Sequence, residues 1–268
     1  MKLLRELSSE LNRLFLFELF DQSRIEAVFY RDTLCISTQV GCAIACPFCL
    51  SGKLGLFRNL TLEEILDQCR LLRDRVNIRR IAIAGIGEPL MNWERVKEAF
   101  WYFKGLGLKV SFYTTGYPLK NLRELLGLPH GGVNISLHST EERKRKKLLP
   151  HAGSLKDLID MLKGELPLFS RRKGKRISLA YLLLKGVNDS TEELTHLAKL
   201  AKGLGLGITL LRYNSTTEGY QDVGDEDYER VFLLLRSYGI RVTLSTRFRK
   251  DRVGACGTLL VNRSLIEC

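Results

Sequence analysis

Three cysteines, Cys42, Cys46 and Cys49, stand at C-x3-C-x2-C spacing within CISTQVGCAIACPFCLSGKLGLFRNL, residues 35–60. Thiolates are soft ligands suited to zinc or iron–sulfur clusters, and a structural zinc site closes with four of them. No fourth Cys or His follows at finger-like spacing: the next cysteine is Cys69, inside a predicted helix, and the first histidine is His130. Three thiolates on a short loop can instead hold three irons of a 4Fe–4S cluster and leave one iron open to a substrate or cofactor. Two other cysteines invite chemistry. Cys35 ends the stretch before the loop, and Cys256 lies in Gly254-Ala255-Cys256-Gly257, a small-residue segment that admits a substrate close to a thiol. A lone cysteine is more often a buried small hydrophobe. The basic surroundings of Cys256 (Arg247, Arg249, Lys250 and Arg252) would lower its pKa and make it nucleophilic.

The open-iron spacing is that of radical S-adenosylmethionine (SAM) enzymes, and it gives other residues a use. Gly87-Glu88-Pro89 follows the predicted strand RRIAIAG; a glycine turn there admits a ligand, and the carboxylate of Glu88 can take an ammonium group such as the methionyl amine. Ser136, Leu137 and His138 end the strand GVNISLHS, placed to hydrogen-bond a sugar or carboxylate; a helix cap by Ser139 with His138 at the rim is the plainer alternative. Asn214 occupies the equivalent place after ITLLRY, where a turn-forming Asn would serve as well.

The elements that must position these groups alternate. Residues 1–20 read as an amphipathic helix and 24–37 as a hairpin leading into the cysteine loop. Thr61 and Glu64 form a capping-box signature at the start of TLEEILDQCRLLRDR. Extended and helical patterns then take turns to residue 246, which predicts a parallel sheet with right-handed crossovers and functional residues at the strands' C-terminal ends. The expectation is an α/β fold, a partial (β/α)6 barrel with a short N-terminal helix/hairpin extension. Residues 1–30 would be that extension, and 31–268 the barrel with its C-terminal cysteine loop. The 268 residues include no apolar run near twenty, so no membrane span is expected, and the N-terminus lacks signal-peptide features. Seven cysteines, three of them clustered, fit ligands in a reducing cytoplasm better than a disulfide framework. A net charge of +12 points to a polyanion such as nucleic acid, with a thermophile's charged surface as the alternative.

TLCISTQVGCAIACPFCLSGKLGLFRNLTLEEILDQ, then GIGEPLMN, ISLHS, GVNDS and ACGTL, in this order, resemble the radical SAM RNA adenine methyltransferases, the family with a carbon-2 branch (RlmN) and a carbon-8 branch (Cfr). The resemblance runs from about residue 24 to 260. It implies a 4Fe–4S cluster on Cys42, Cys46 and Cys49, and SAM contacts from Gly87, Glu88, Ser136, Leu137, His138 and Asn214. It also implies a methyl-carrying Cys256, a resolving Cys35 that forms a transient disulfide with it, and Glu26 as proton acceptor. An adenine ring carbon is not nucleophilic. In the family's scheme Cys256 therefore takes a methyl from one SAM, a radical made from a second SAM activates that methyl, and Cys35 frees the product. The implied substrate is adenine carbon 2, ahead of carbon 8, in 23S rRNA or tRNA. The implied electron donor is a flavodoxin or ferredoxin, and the implied state a cytoplasmic monomer. The chain resembles a shortened member, with little of the family's N-terminal RNA-binding domain before Glu26. Tyr113 stands where the family has a serine, and Ser215 where it has a proline after Asn214. Two other readings compete: the same chemistry on a small molecule or peptide, and a nucleic-acid-binding iron–sulfur protein without catalysis. The latter has no use for a carrier and resolver pair of thiols.

Overall fold

The computed structural model describes residues 1–53, 55–215, 217–245, 247–251, 253–254 and 257–259. It divides into two compact units, Met1–Phe112 with the described residues from 247 onward, and Tyr113–Thr246.

The first unit opens with four antiparallel strands paired in sequence: β1 (Lys2–Ser8), β2 (Asn12–Glu18), β3 (Arg24–Tyr30) and β4 (Thr33–Ile36). The hairpin predicted over 24–37 is β3 and β4. The helix predicted over 1–20 is corrected, because these residues are the β1–β2 hairpin. Leucines at helical spacing suggested the helix, but Leu14, Phe15, Leu16 and Phe17 are all buried, Phe15 and Phe17 completely. A continuous apolar run suits a strand covered on both faces, whereas a surface helix keeps a polar side. Ser9 makes the turn, its amide donating to Asn12 O at 2.8 Å and its hydroxyl accepting from Asn12 N at 2.9 Å.

After β4 comes a small antiparallel pair, β5 (Gln39–Gly41) and β6 (Leu56–Asn59), enclosing the cysteine loop and a one-turn helix, α1 (Leu50–Lys53). Helix α2 (Leu62–Arg70) starts with the predicted capping box, Thr61 and Glu64 each satisfying the other's backbone amide. It leads to β7 (Arg80–Ile83), α3 (Trp93–Gly105) and β8 (Lys109–Thr114). β4, β7 and β8 pair in parallel.

The second unit runs α4 (Leu119–Gly127), β9 (Gly132–Ser136), α5 (Glu142–Leu148), α6 (Leu155–Glu165), α7 (Arg171–Gly174), β10 (Ile177–Leu183), α8 (Thr191–Leu204), β11 (Gly207–Arg212), α9 (Asp225–Ser237) and β12 (Val242–Leu244). Its four strands are parallel in the order β9, β10, β11, β12, as the alternation predicts. Serines cap α6 and α8, Ser154 and Ser190 each accepting from the amide three residues on. Gly205 ends α8 in the left-handed conformation.

Candidate active site

Cys42 follows β5 directly, and its amide donates to Gly55 O at 2.9 Å, closing the base of the cysteine loop. The loop then curls tightly: Ala45 takes a positive φ of 56°, and Cys49 N donates to Cys46 O at 3.1 Å. The three thiols feel one another. Burial above all, then the charges of Cys49 and Glu88, push the Cys42 thiol up to about 12, against backbone hydrogen bonds from Ile44 and Ala45 that favour its thiolate. Burial raises Cys46 well above the usual thiol range as well, reinforced by Cys49, Cys42 and Glu88. The loop thus gathers sulfurs with a carboxylate beside them, an arrangement that a positive centre would relieve.

That carboxylate belongs to the Gly87-Glu88-Pro89 turn after β7. Gly87 has φ 105°, and a Cβ there would come within 2.6 Å of the Gln39 side chain, so only glycine fits. Glu88 is 3% exposed and accepts from Leu90 N at 3.1 Å, capping the short 3-10 turn Pro89–Asn92. Gln39 is the residue that sequence reasoning missed. Wholly buried, its carboxamide oxygen accepts from Glu88 N at 2.9 Å and from Ala43 N at 3.3 Å, while its Nε2 donates to Asn59 at 2.8 Å. One side chain therefore ties the cysteine loop to the Gly-Glu turn. The available signal was a glutamine three residues before the first cysteine of the loop, in a strand otherwise apolar.

Cys35 lies on β4 opposite Val28 of β3 and Ala82 of β7. Directly opposed residues, and those two apart on a strand, share a sheet face, so Glu26, Val28 and Cys35 point to one side. Glu26 is 1% exposed, and its carbonyl accepts from Ser37 Oγ at 2.7 Å; the same hydroxyl accepts from Ile86 N. On that face is a cavity of about 140 Å³ whose wall includes Val28, Cys35, Cys49, Phe248, Gly254 and Gly257. Cys256 itself lies outside the described residues, but its flanks are anchored. Leu50 N donates to Gly257 O at 3.0 Å, and Ser51 Oγ to Leu259 O at 2.8 Å. A Cβ on Gly254 would meet Val28 at 2.6 Å, so the glycine lets the C-terminal segment lie against β3. Asn12 of β2, also unforeseen from sequence, donates through Nδ2 to both Phe248 O and Val253 O, at 2.7 and 2.8 Å. Arg31 stacks on Phe248 from outside.

The remaining predicted contacts belong to the second unit, at the C-terminal ends of its strands. Ser136 ends β9, and Leu137 N donates to Ala180 O of β10 at 2.9 Å. His138 is in the left-handed region at φ 58°; its buried Nδ1 accepts from Leu182 N at 3.0 Å, and burial holds its pKa down to about 3. Its carbonyl accepts from Asn188 Nδ2, so the GVNDS motif props the SLH turn. Ser139 accepts from Glu141 N and donates to Glu193. Asn214 stands half-buried two residues beyond β11.

Comparison with known proteins identifies the architecture. The Radical SAM superfamily matches residues 36–198. A Stutzerimonas stutzeri protein named probable RNA methyltransferase is 35% identical over 255 residues, covering 91% of this chain and 72% of that protein. A Bacteroides fragilis probable dual-specificity RNA methyltransferase RlmN is 32% identical, covering 91% and 74%. The crystal structure of a radical SAM methyltransferase from Sphaerobacter thermophilus superposes with a TM-score of 0.85 at 30% identity, over 96% of this chain and 80% of that one. The chain belongs to the radical SAM RNA methyltransferase family. Its fold is the radical SAM α/β fold, and its cofactors are a 4Fe–4S cluster and SAM.

This radical SAM enzyme carries residues that suit those cofactors. Its cysteine loop gathers three thiols, with amides aimed at a sulfur, a second-sphere feature of iron–sulfur sites. A cluster's iron supplies the positive charge that returns such thiols to thiolate. Among the described residues no three His, Cys, Asp or Glu side chains converge on one ion position; a cluster does not require it, since each thiolate binds a different iron. Among the described residues no disulfide joins any two of Cys35, Cys42, Cys46, Cys49 and Cys69. Among the described residues no helix is long and apolar enough to cross a membrane.

Proposed function

We propose that the chain methylates carbon 2 of an adenine in RNA, in 23S rRNA, tRNA or both, with the methyl group carried on Cys256. The observation that supports this best is the shared cavity: Cys35 and the cluster ligand Cys49 line one small space whose wall includes Gly254 and Gly257, the near neighbours of Cys256. A binding protein would have no need of a cluster ligand, a second thiol and a tethered C-terminal segment around one concavity. The names of the relatives support RNA methylation; the carbon-2 preference rests on the resemblance of the sequence motifs.

In this reading Cys42, Cys46 and Cys49 hold the cluster, and Glu88, with its carboxylate near the thiols, receives the methionyl amine of SAM. Gly87, Ser136, Leu137, His138 and Asn214 complete the SAM contacts, the buried imidazole of His138 holding its turn rather than moving protons. The cluster and SAM, when bound, supply the hydrogen-abstracting radical. Cys256 is first methylated and then bonded to the adenine. Glu26, on the cavity face of β3, takes the ring proton, and Cys35 closes on Cys256 to release the product.

Mass spectrometry of nucleosides from rRNA and tRNA, in cells with and without the gene, tests the proposal. The expected result is 2-methyladenosine that depends on the gene and disappears with Cys256→Ala. Full methylation by Cys256→Ala, or 8-methyladenosine in its place, refutes the carrier or the position respectively.

A further inference from the structure

The second unit has a groove of about 530 Å³ at the end of its sheet where β10 and β11 begin. Its floor is apolar, with Leu166, Phe169 and Leu204 among the residues there, and its rim carries four exposed cations: Lys163, Arg171, Lys175 and Lys202. Lys163 and Lys202 stand in the last turns of α6 and α8, where a cation offsets the helix dipole. That accounts for two of the four. Arg171 and Lys175 belong to the single turn of α7 and its C-cap, where four residues align too few peptide dipoles for that role to account for them. Among the described residues Arg171, Lys175 and Lys202 pair with no carboxylate, and Lys163 reaches only Asp160, at 3.9 Å. Their neighbour Lys173 is turned away from this role, donating to Gly127 O and lying over the Phe169 ring. The sequence places Arg171 and Lys175 in SRRKGKR, a basic stretch for which the active site has no use.

Four cations around one concavity, three of them without a carboxylate partner among the described residues, repel one another unless a polyanion joins them. Exposed side-chain cations with no buried directional donors suit a phosphodiester backbone, which asks for charge rather than for a shaped pocket. The apolar floor suits the face of a sugar or base. Resting on the RNA reading above, we propose that this groove is a second RNA-binding site that holds a backbone segment remote from the methylated nucleotide. Position sets the scale. Ser136 and His138 lie at the opposite ends of the strands, and the seven residues of β10 separate the two ends by about 23 Å at roughly 3.3 Å per residue. A ligand engaging both ends is therefore a folded RNA and not a nucleotide or short oligomer.

The test compares holoenzyme with a triple variant, Arg171→Gln, Lys175→Gln and Lys202→Gln, and with the single reversal Lys175→Glu. All three positions are exposed, and thermal unfolding verifies that the variants fold. Binding of a transcribed tRNA is followed by fluorescence anisotropy across a salt series, beside methylation kinetics. Loss of three phosphate contacts should lower the slope of log K against log salt by about 2 to 3 and weaken binding at least ~10-fold at moderate salt. The KM for RNA should rise while kcat stays at the wild-type value. Unchanged affinity and slope in both variants, with wild-type binding intact, overturn the groove and leave the methylation reading standing. A wild-type enzyme that binds no RNA at low salt overturns both. A polyglutamate peptide that binds wild type and not the variants, while RNA binding stays unaltered, assigns the groove to an acidic protein and overturns RNA as its occupant.

Discussion

Gln39→Ala is the most informative single change. Its carboxamide is wholly buried and serves three partners: Glu88 N at 2.9 Å, Ala43 N at 3.3 Å and Asn59 Oδ1 at 2.8 Å. Leaving a buried donor without an acceptor costs about 1–3 kcal/mol. The Glu88 amide is buried and bears most of that cost. The Ala43 contact is long, and Asn59 is reached by solvent, so each adds less. The sum is about 3 kcal/mol, read as the shift in urea unfolding free energy. Stability alone does not establish a positioning role, so Gln68→Ala serves as the comparison. Gln68 is equally buried and makes three hydrogen bonds, to Ser37 N, Ser37 O and Glu64 O, none to the cysteine loop or the Gly-Glu turn. Both variants should unfold more easily. Only Gln39→Ala should also weaken SAM binding by calorimetry and lower the iron retained per chain. Equal SAM affinity in the two variants, or a loss of under about 1 kcal/mol for Gln39→Ala, refutes the reasoning.

Cys46→Ala should yield protein that retains little iron after anaerobic reconstitution and fails to cleave SAM, measured by iron assay and chromatography. Cys35→Ala should keep its iron and accumulate a covalent protein–RNA adduct, seen as a nuclease-sensitive shift on a denaturing gel. Asn12→Ala should free the segment 248–253, lowering methyl transfer several-fold while iron content and SAM affinity hold; unchanged turnover would show that Asn12 has no part in placing that segment. His130 is 1% exposed, and burial, aided by Lys173 and Arg176, holds its pKa down to about 4. The unfolded chain therefore takes up the proton first. The stability contributed is complete above pH ~6.5 and falls by about 3 kcal/mol as pH drops toward 4. Neither ring nitrogen has a hydrogen-bond partner among the described residues, so His130→Leu should flatten that dependence in chemical denaturation; an equally steep profile in the variant would rule His130 out as its source.

The parts legible in the sequence were those determined locally. The thiols of the cysteine loop, the capping box at Thr61 and the glycine at Gly87 each depend on neighbours a few residues away. What stayed hidden depends on distant partners. The β1–β2 hairpin looked helical because Leu3, Leu7, Leu11 and Leu14 fit a helical stripe, and only burial on both sides of β2 outweighs that spacing. Gln39 and Asn12 read as ordinary polar residues; what they do is decided by backbone groups 4 to 241 positions away. A sequence motif marks the groups that react more readily than those that hold them.

The bonds from Asn12 to Phe248 and Val253 also impose an order in time. The donor is synthesised before its acceptors, which follow 236 and 241 positions later. The second unit is one uninterrupted stretch of chain and can complete its parallel strands as it is made, whereas the first waits for its final strip. Contacts this distant in sequence form slowly, because a long loop must close before they yield anything. A chain ending at residue 246 would retain β1 through β12 and still leave the buried Asn12 amide without either of its acceptors. Its defect would lie on β2, although the cut was made more than two hundred residues away.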